Sequence, residues 1–276
     1  MSSPTVRRRR LSTELRRHRV EAGMTLGDVA TELEWSPAKL GHIETGIRKW
    51  PSVTEISALL RLYGVTGGRR EAILTLVRES RLRPWWTQYE DVLPSAYVGN
   101  EAGAAAVQVY AGILVPDLLQ VPEYTALVAG ALGYADGEGE RMVAAYLKRQ
   151  ELLEPGGSLR YHAVLEEDAL QRTASDRGLL RAQTTRLLEA AALERVTLQL
   201  IPTSAGPHPG IAGPFSVLEF DDDEAALAYV ESTSGGAIVE AEEQVGACRR
   251  VWGELTRIAA SPAATTGILR RMALLT

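Results

Sequence analysis

Between Gly23 and Val53 three helix starts follow one another so closely that this stretch can form only short helices, which must pack on each other to survive. Thr25 precedes Leu26, Val29, Ala30 and Leu33, apolar residues at helical spacing. A hydroxyl just ahead of a first turn accepts a hydrogen bond from a backbone N–H that has no partner inside the helix. Ser36 stands in the same relation to a third helix, with Pro37 at the first helical position, where a missing N–H is harmless, and Gly46 near its end. After Pro51, Ser52 opens a fourth helix that buries Val53, Ile56, Leu59, Leu60 and Leu62. Upstream, Leu11, Leu15 and Val20 predict a first helix closing at Gly23, and residues 68–82 continue as a fifth. The tight turn through Glu34, Trp35 and Ser36 joins the second and third helices in the order and lengths of a helix-turn-helix, whose later helix can enter the DNA major groove.

Charge divides the chain at the same place. Residues 1–83 hold 16 Lys+Arg against 9 Asp+Glu, whereas residues 84–276 hold 14 against 26. A basic module thus precedes an acidic one, the electrostatic footprint of a phosphate-binding segment attached to something else. The expected division is a basic arm at 1–10, a helix-turn-helix domain at 11–83 and a second domain at 84–276. Arg7 to Arg10 form a charge run that reads either as a mobile arm reaching DNA or as a solvated tail.

Past Pro84 the sequence PWWTQYEDVLPSAY mixes aromatics, prolines and acids without a clear period, as an ordered connector does. Residues 100–111 and 122–133 read as helices around the ILVPDLLQVP turn. A further helix from about residue 138 carries Met142, Val143, Tyr146 and Leu147 on one face. From Leu159 the period changes to that of strands in LRYHAVL, VTLQLIP, FSVLEF and ALAYVES, with a helix over 177–193 between them and helices again after Glu240. The expected fold is therefore an α+β domain with a mainly antiparallel sheet behind a five-helix, mainly α module.

Several chemistries find no support. One cysteine, Cys248, rules out an intramolecular disulfide and multi-cysteine zinc, and four scattered histidines form no HExxH or HxxxH pair. There is no nucleophile elbow, P-loop or dinucleotide fingerprint, so an enzyme is not expected, nor a metal or cofactor. Without an apolar run of about 18 residues, and with a polar stretch after the basic N-terminus, the expectation is a cytoplasmic, nucleoid-associated protein with no membrane partner.

The run LRRHRVEAGMTLGDVATELEWSPAKLGHIETGIRKWPS resembles the XRE (Cro/repressor-like) family, with Leu15, Arg16, Arg19, Gly23, Thr25, Ala30, Ser36, Ile43, Glu44, Gly46, Arg48 and Pro51 at family positions. The resemblance implies that Pro37, Ala38 and His42 face base edges while Thr25, Lys39, Thr45, Arg48 and Lys49 meet the DNA backbone, and that Arg19 pairs with Glu44. Chemistry agrees in part: His42 can donate or accept, Ala38 can rest on a thymine methyl, and Pro37 has no donor. His42 also reads as a plain surface residue. Glu44 reads as a scaffold partner, since phosphates repel a carboxylate that no arginine neutralises.

From WWTQYEDVLP onward, through ILVPDLLQVPEY, LKRQELL, VLEEDALQR, VTLQLIP, GIAGPFSVLEF and AYVES, the chain resembles the C-terminal domain of unknown function of actinobacterial, antitoxin-like regulators. Asp117 stands where that family usually has glycine, which puts in question a turn needing positive φ. The resemblance implies transcriptional regulation in concert with a small, toxin-like protein partner; a one-component regulator sensing a small molecule is the alternative. Trp85 and Trp86 read as an interface or as packing between domains. Arg149, Glu167 and His208 border a possible partner or ligand site, or else an Arg149–Glu167 ion pair and a simple turn account for them. Few base readers on one short helix lead to the expectation of a homodimer on an inverted-repeat operator in double-stranded DNA.

Overall fold

The computed structural model describes residues 3–274 other than 49, 136, 174, 222, 223, 233 and 234. Its backbone divides into two compact units, residues 1–87 and 88–276. The first is built from α1 (Pro4–Glu21), α2 (Leu26–Glu32), α3 (Pro37–Glu44), α4 (Val53–Leu62) and α5 (Gly67–Ser80). Thr25 and Ser52 form reciprocal capping boxes with Asp28 and Glu55, and the Ser36 side chain accepts from the Lys39 N–H. Gly46 ends α3 at φ +72°, left-handed backbone that favours glycine. Glu34 adopts φ +52° in the turn between α2 and α3, the one non-glycine residue with positive φ among those described.

Leu15, Val29, Leu40, Ile43, Ile56, Leu59 and Leu60 close one core. At about 1.5–3 kcal/mol for each fully buried aliphatic side chain, that core holds α2 and α3 in place, because helices so short are marginal alone. The basic run departs from expectation: residues 7–10 are no arm but part of α1, which Ser3 caps and Pro4 opens. Arginine is a good helix former, so the run extends the helix. Arg7 Nε pairs with Glu79 Oε2 of α5 at 3.2 Å.

The second unit contains α6 (Ser95–Glu101), β1 (Ala106–Ala111), α7 (Pro122–Ala131), α8 (Glu138–Gln150), β2 (Arg160–Glu166), α9 (Glu167–Gln171) and α10 (Arg177–Ala191). There follow β3 (Val196–Ile201), β4 (Phe215–Glu219), β5 (Leu227–Val230), β6 (Ala237–Val239), α11 (Glu242–Ile258) and α12 (Pro262–Leu274). One sheet in the order β3-β2-β1-β4-β5-β6 joins the strands. The pairs β1–β2 and β2–β3 are parallel, and β1–β4, β4–β5 and β5–β6 are antiparallel. This is an α+β unit with a mixed, mainly antiparallel sheet, the parallel half being joined through helices as parallel strands require.

Tyr110, Val164, Ile201, Phe215, Val217 and Ala228 meet Val245, Trp252 and Leu255 of α11 on one face of the sheet. Cys248, also on α11, is half-buried and packs against this cluster, and burial pushes its thiol up from the ordinary value. On the other face Tyr97 of α6 comes within 3.5 Å of Ser216 Oγ through its hydroxyl. Residues 100–111, expected to be one helix, split between the end of α6 and β1. As a central strand β1 is flanked by β2 and β4 and is covered on both faces, so it lacks the alternation that marks a half-exposed strand.

Candidate nucleic-acid interface

On α3, Pro37, Ala38, His42 and Thr45 are exposed while Leu40, Ile43 and Glu44 are buried. Helical geometry places 37, 38, 41, 42 and 45 along one side, so the residues expected to face bases share an open stripe. Gly41 lies in that stripe with no heavy atom within 4 Å of where a Cβ would stand. Backbone there can come close to a groove.

The cations flanking the stripe are less free than the sequence indicates. Lys39 Nζ lies 2.9 Å from Glu55 Oε1 and 3.8 Å from the centre of the Trp35 ring. Arg48 Nη2 reaches the same Glu55 oxygen at 2.8 Å. Burial alone would raise the Glu55 carboxyl, but the Ser52 N–H and hydroxyl together with Lys39 outweigh it and hold it down at about 2. Glu55, on α4, thus collects two of the expected phosphate contacts. Sequence reading passed over it because Ser52-x-x-Glu55 is explained in full by helix capping. Thr25 is spent on its own cap, its hydroxyl donating to Asp28 Oδ2 at 2.7 Å. Lys49 lies outside the described residues. Two large apolar side chains beside Arg48, Ile47 and Trp50, are well over half exposed, a feature visible in sequence only as a tryptophan between Lys49 and Pro51.

Glu55→Gln is expected to raise affinity for DNA of any sequence. One charge about 7 Å from a phosphate in water is worth roughly 0.6 kcal/mol, or about threefold. Glutamine keeps the cap. Because the folded-state pKa is depressed, the Glu55 contribution to stability is complete above its ordinary value of 4.5 and is lost as pH falls toward about 2. The variant should lose that part of the acid dependence. Fluorescence anisotropy at two salt concentrations checks the first point, and weaker binding would show that Glu55 positions Lys39 and Arg48.

Behind the stripe, Arg19 of α1 grips Glu44 at the end of α3 through two bonds, Nε–Oε1 at 2.8 Å and Nη2–Oε2 at 3.0 Å. Its Nη1 donates to the Met24 carbonyl at 2.8 Å. The hydrogen bond with Glu44 raises the Arg19 pKa against the opposing effect of burial. One guanidinium therefore ties α1, the turn before α2 and the recognition helix together.

The residues singled out past Pro84 each have partners of their own. Trp85 and Trp86 meet edge to face at 5.8 Å. Arg149 makes no pair with Glu167, contrary to the simple expectation. Its Nε and Nη2 each lie 2.9 Å from Glu101, its Nη1 lies 2.7 Å from Asp117, and both Arg149 and Glu101 are buried. Burial alone would lower the Arg149 pKa, but the charges of Glu101 and Asp117 hold it well above its ordinary value. Glu167 instead accepts from the Thr203 N–H at 3.2 Å. His208 Nε2 sits 3.0 Å from Glu166 Oε1, which the Tyr110 hydroxyl also reaches, at 2.8 Å. Asp117 needs no positive φ; it opens a short 3-10 turn over Asp117–Leu119 and supplies a second carboxylate to Arg149.

Residues 10–73 match the family described as Helix-turn-helix domain, which makes this module a DNA-binding one. No helix among the described residues is long and apolar enough to cross a membrane. No curated protein and no solved structure matches the chain. Residues 94–271, well over half of the chain, match the Domain of unknown function (DUF5753), and the chain belongs to that family.

Proposed function

We propose that this chain is an XRE-type transcriptional regulator that reads an inverted-repeat operator as a homodimer, acts by binding and not by catalysis, and works in the cytoplasm at the nucleoid. The exposed stripe of Pro37, Ala38 and His42 on a helix locked from behind by Arg19 and Glu44 carries the reading. With so few donors, one stripe specifies few base pairs, and pairing two modules on half-sites about one helical turn apart supplies the rest. Net positive charge on residues 1–83 opposes close approach of two such modules, so the acidic second domain is the better place for the dimer contact.

Resemblance to antitoxin-like regulators supports a small, toxin-like protein as the partner of that domain. A second reading, a one-component sensor of a small molecule, is favoured by a cavity in the second unit beside Arg149.

Footprinting and sedimentation of the full-length chain test the proposal. We expect two protected half-sites and a dimer. His42→Ala should relax preference at one operator position at a cost of about 1–3 kcal/mol. A monomer protecting one asymmetric half-site would sink the dimer, and a uniform loss across sequences would make His42 a positioning residue.

A further inference from the structure

At the carboxyl end of β1, between its parallel neighbour β2 and its antiparallel neighbour β4, the second unit holds a cavity of about 180 Å3. In open sheets such a position, outside the end of a strand where connections diverge, is where ligands bind. The volume exceeds the roughly 150 Å3 that accommodates a benzene molecule in an engineered core. Tyr97, Asp117, Arg149, Tyr161, Ser216 and Glu231 line it, and Ile113 and Leu114, both more than a third exposed, also border it.

An anionic ligand would have to displace a carboxylate, because three nitrogens of Arg149 are already engaged by Glu101 and Asp117 at 2.7–2.9 Å. Glu101, Asp117 and Glu231 together exceed the single positive charge of Arg149. Glu231, exposed at the mouth of the cavity, is pushed up to about 7 by desolvation of its carboxyl and then by the charge of Asp117, opposed by Arg149. Tyr161 is only 2% exposed and lines the cavity, yet its hydroxyl has no hydrogen-bond partner among the described residues. Opening onto the cavity, that phenol oxygen can accept from or donate to a polar group that enters it.

We propose that this cavity binds a small organic cation, a primary ammonium on an aromatic or short aliphatic body, with its N–H groups donated to Asp117, Glu231 and the Tyr161 hydroxyl. The hydrocarbon body lies toward Tyr97, Ile113 and Leu114. Use of this binding as a signal rests on the sensor reading above; the binding itself does not.

The test is calorimetric titration of the full-length protein, without DNA, with benzylamine, benzyl alcohol and benzoate. Benzylamine should bind one to one, and the neutral and anionic analogues at least about tenfold more weakly. Glu231→Gln is expected to weaken benzylamine about tenfold and Tyr161→Phe about threefold, with the melting temperature of the free protein unchanged. Facing Glu231 are Asp117, Arg149, Tyr146, Tyr161 and Tyr229. Since only the ionised carboxyl accepts from an ammonium, affinity should rise about tenfold between about pH 6 and pH 8. Absence of binding at millimolar benzylamine, equal affinity for the three probes, or unchanged affinity in both variants would overturn the assignment. DNA affinity with and without benzylamine, measured separately, then bears on the sensor reading alone.

Discussion

Arg149→Met is expected to lower the stability of the second unit by about 3–5 kcal/mol, the loss typical when one member of a buried ion pair is removed. Arg149 and Glu101 are each about 1% exposed, so the substitution leaves the Glu101 carboxylate in an apolar setting with neither a counter-charge nor its two hydrogen bonds. Asp117 keeps partial access to water and suffers less. Arg149→Lys should rescue little, since a lysine ammonium cannot span both Glu101 oxygens while also reaching Asp117. Adding Glu101→Leu to Arg149→Met should recover most of the loss, because two apolar side chains of similar volume remove the desolvation penalty with the pair. Urea denaturation of the full-length chain, following the transition of the second unit, measures all three. A change below about 1 kcal/mol in the single variant, or no recovery in the double, would mean that the surrounding tyrosines hold this region and the charges do not.

How far the sequence discloses this molecule depends on how local the signal is. Caps and periodicity are local, and Thr25, Ser36 and Ser52 mark the starts of α2, α3 and α4 to the residue. The open stripe of α3 follows from the same periodicity, because buried Leu40 and Ile43 leave only one side for His42. Strand β1 shows the opposite case. Its partners come from residues 160–165 and 215–219, its own six residues carry no alternation, and the alanines before it read as helix. Missing β1 hides the parallel half of the sheet, since a crossover cannot be recognised without its first strand. The cavity at its end goes unseen for the same reason. Partner choice among charged side chains is no more local: Arg149 finds carboxylates at 101 and 117 and passes over the one at 167, and Lys39 and Arg48 converge on a glutamate already accounted for as a cap.

Arg19→Ala is expected to destabilise the helix-turn-helix unit by about 3 kcal/mol, well beyond the 0–1 kcal/mol or so of an exposed pair. Side-chain exposure is 13% for Arg19 and 4% for Glu44, so the variant strands a carboxylate at the end of α3, where unpaired helix carbonyls already disfavour negative charge. It also removes the donor to the Met24 carbonyl. Glu44→Gln keeps an acceptor but surrenders one charge-assisted bond, and should cost about 1–1.5 kcal/mol. A double-mutant cycle should give a coupling of at least about 1.5 kcal/mol, whereas independent sites add to within a few tenths. The effect on DNA then distinguishes this pair from the groups that touch it. Loosening the anchor of α3 tilts the whole stripe, so Arg19→Ala should weaken every operator sequence alike with an unchanged salt slope, because no phosphate contact is lost. His42→Ala should alter preference at one position if it reads a base edge, and Arg48→Ala should lower the slope by about one unit if it meets a phosphate. If Arg19→Ala also lowered the slope, its guanidinium would have to reach a phosphate through the second N–H of Nη1 or Nη2, which the bonds to Met24 and Glu44 leave open, and Arg19 would then be a DNA contact as well as the anchor of α3.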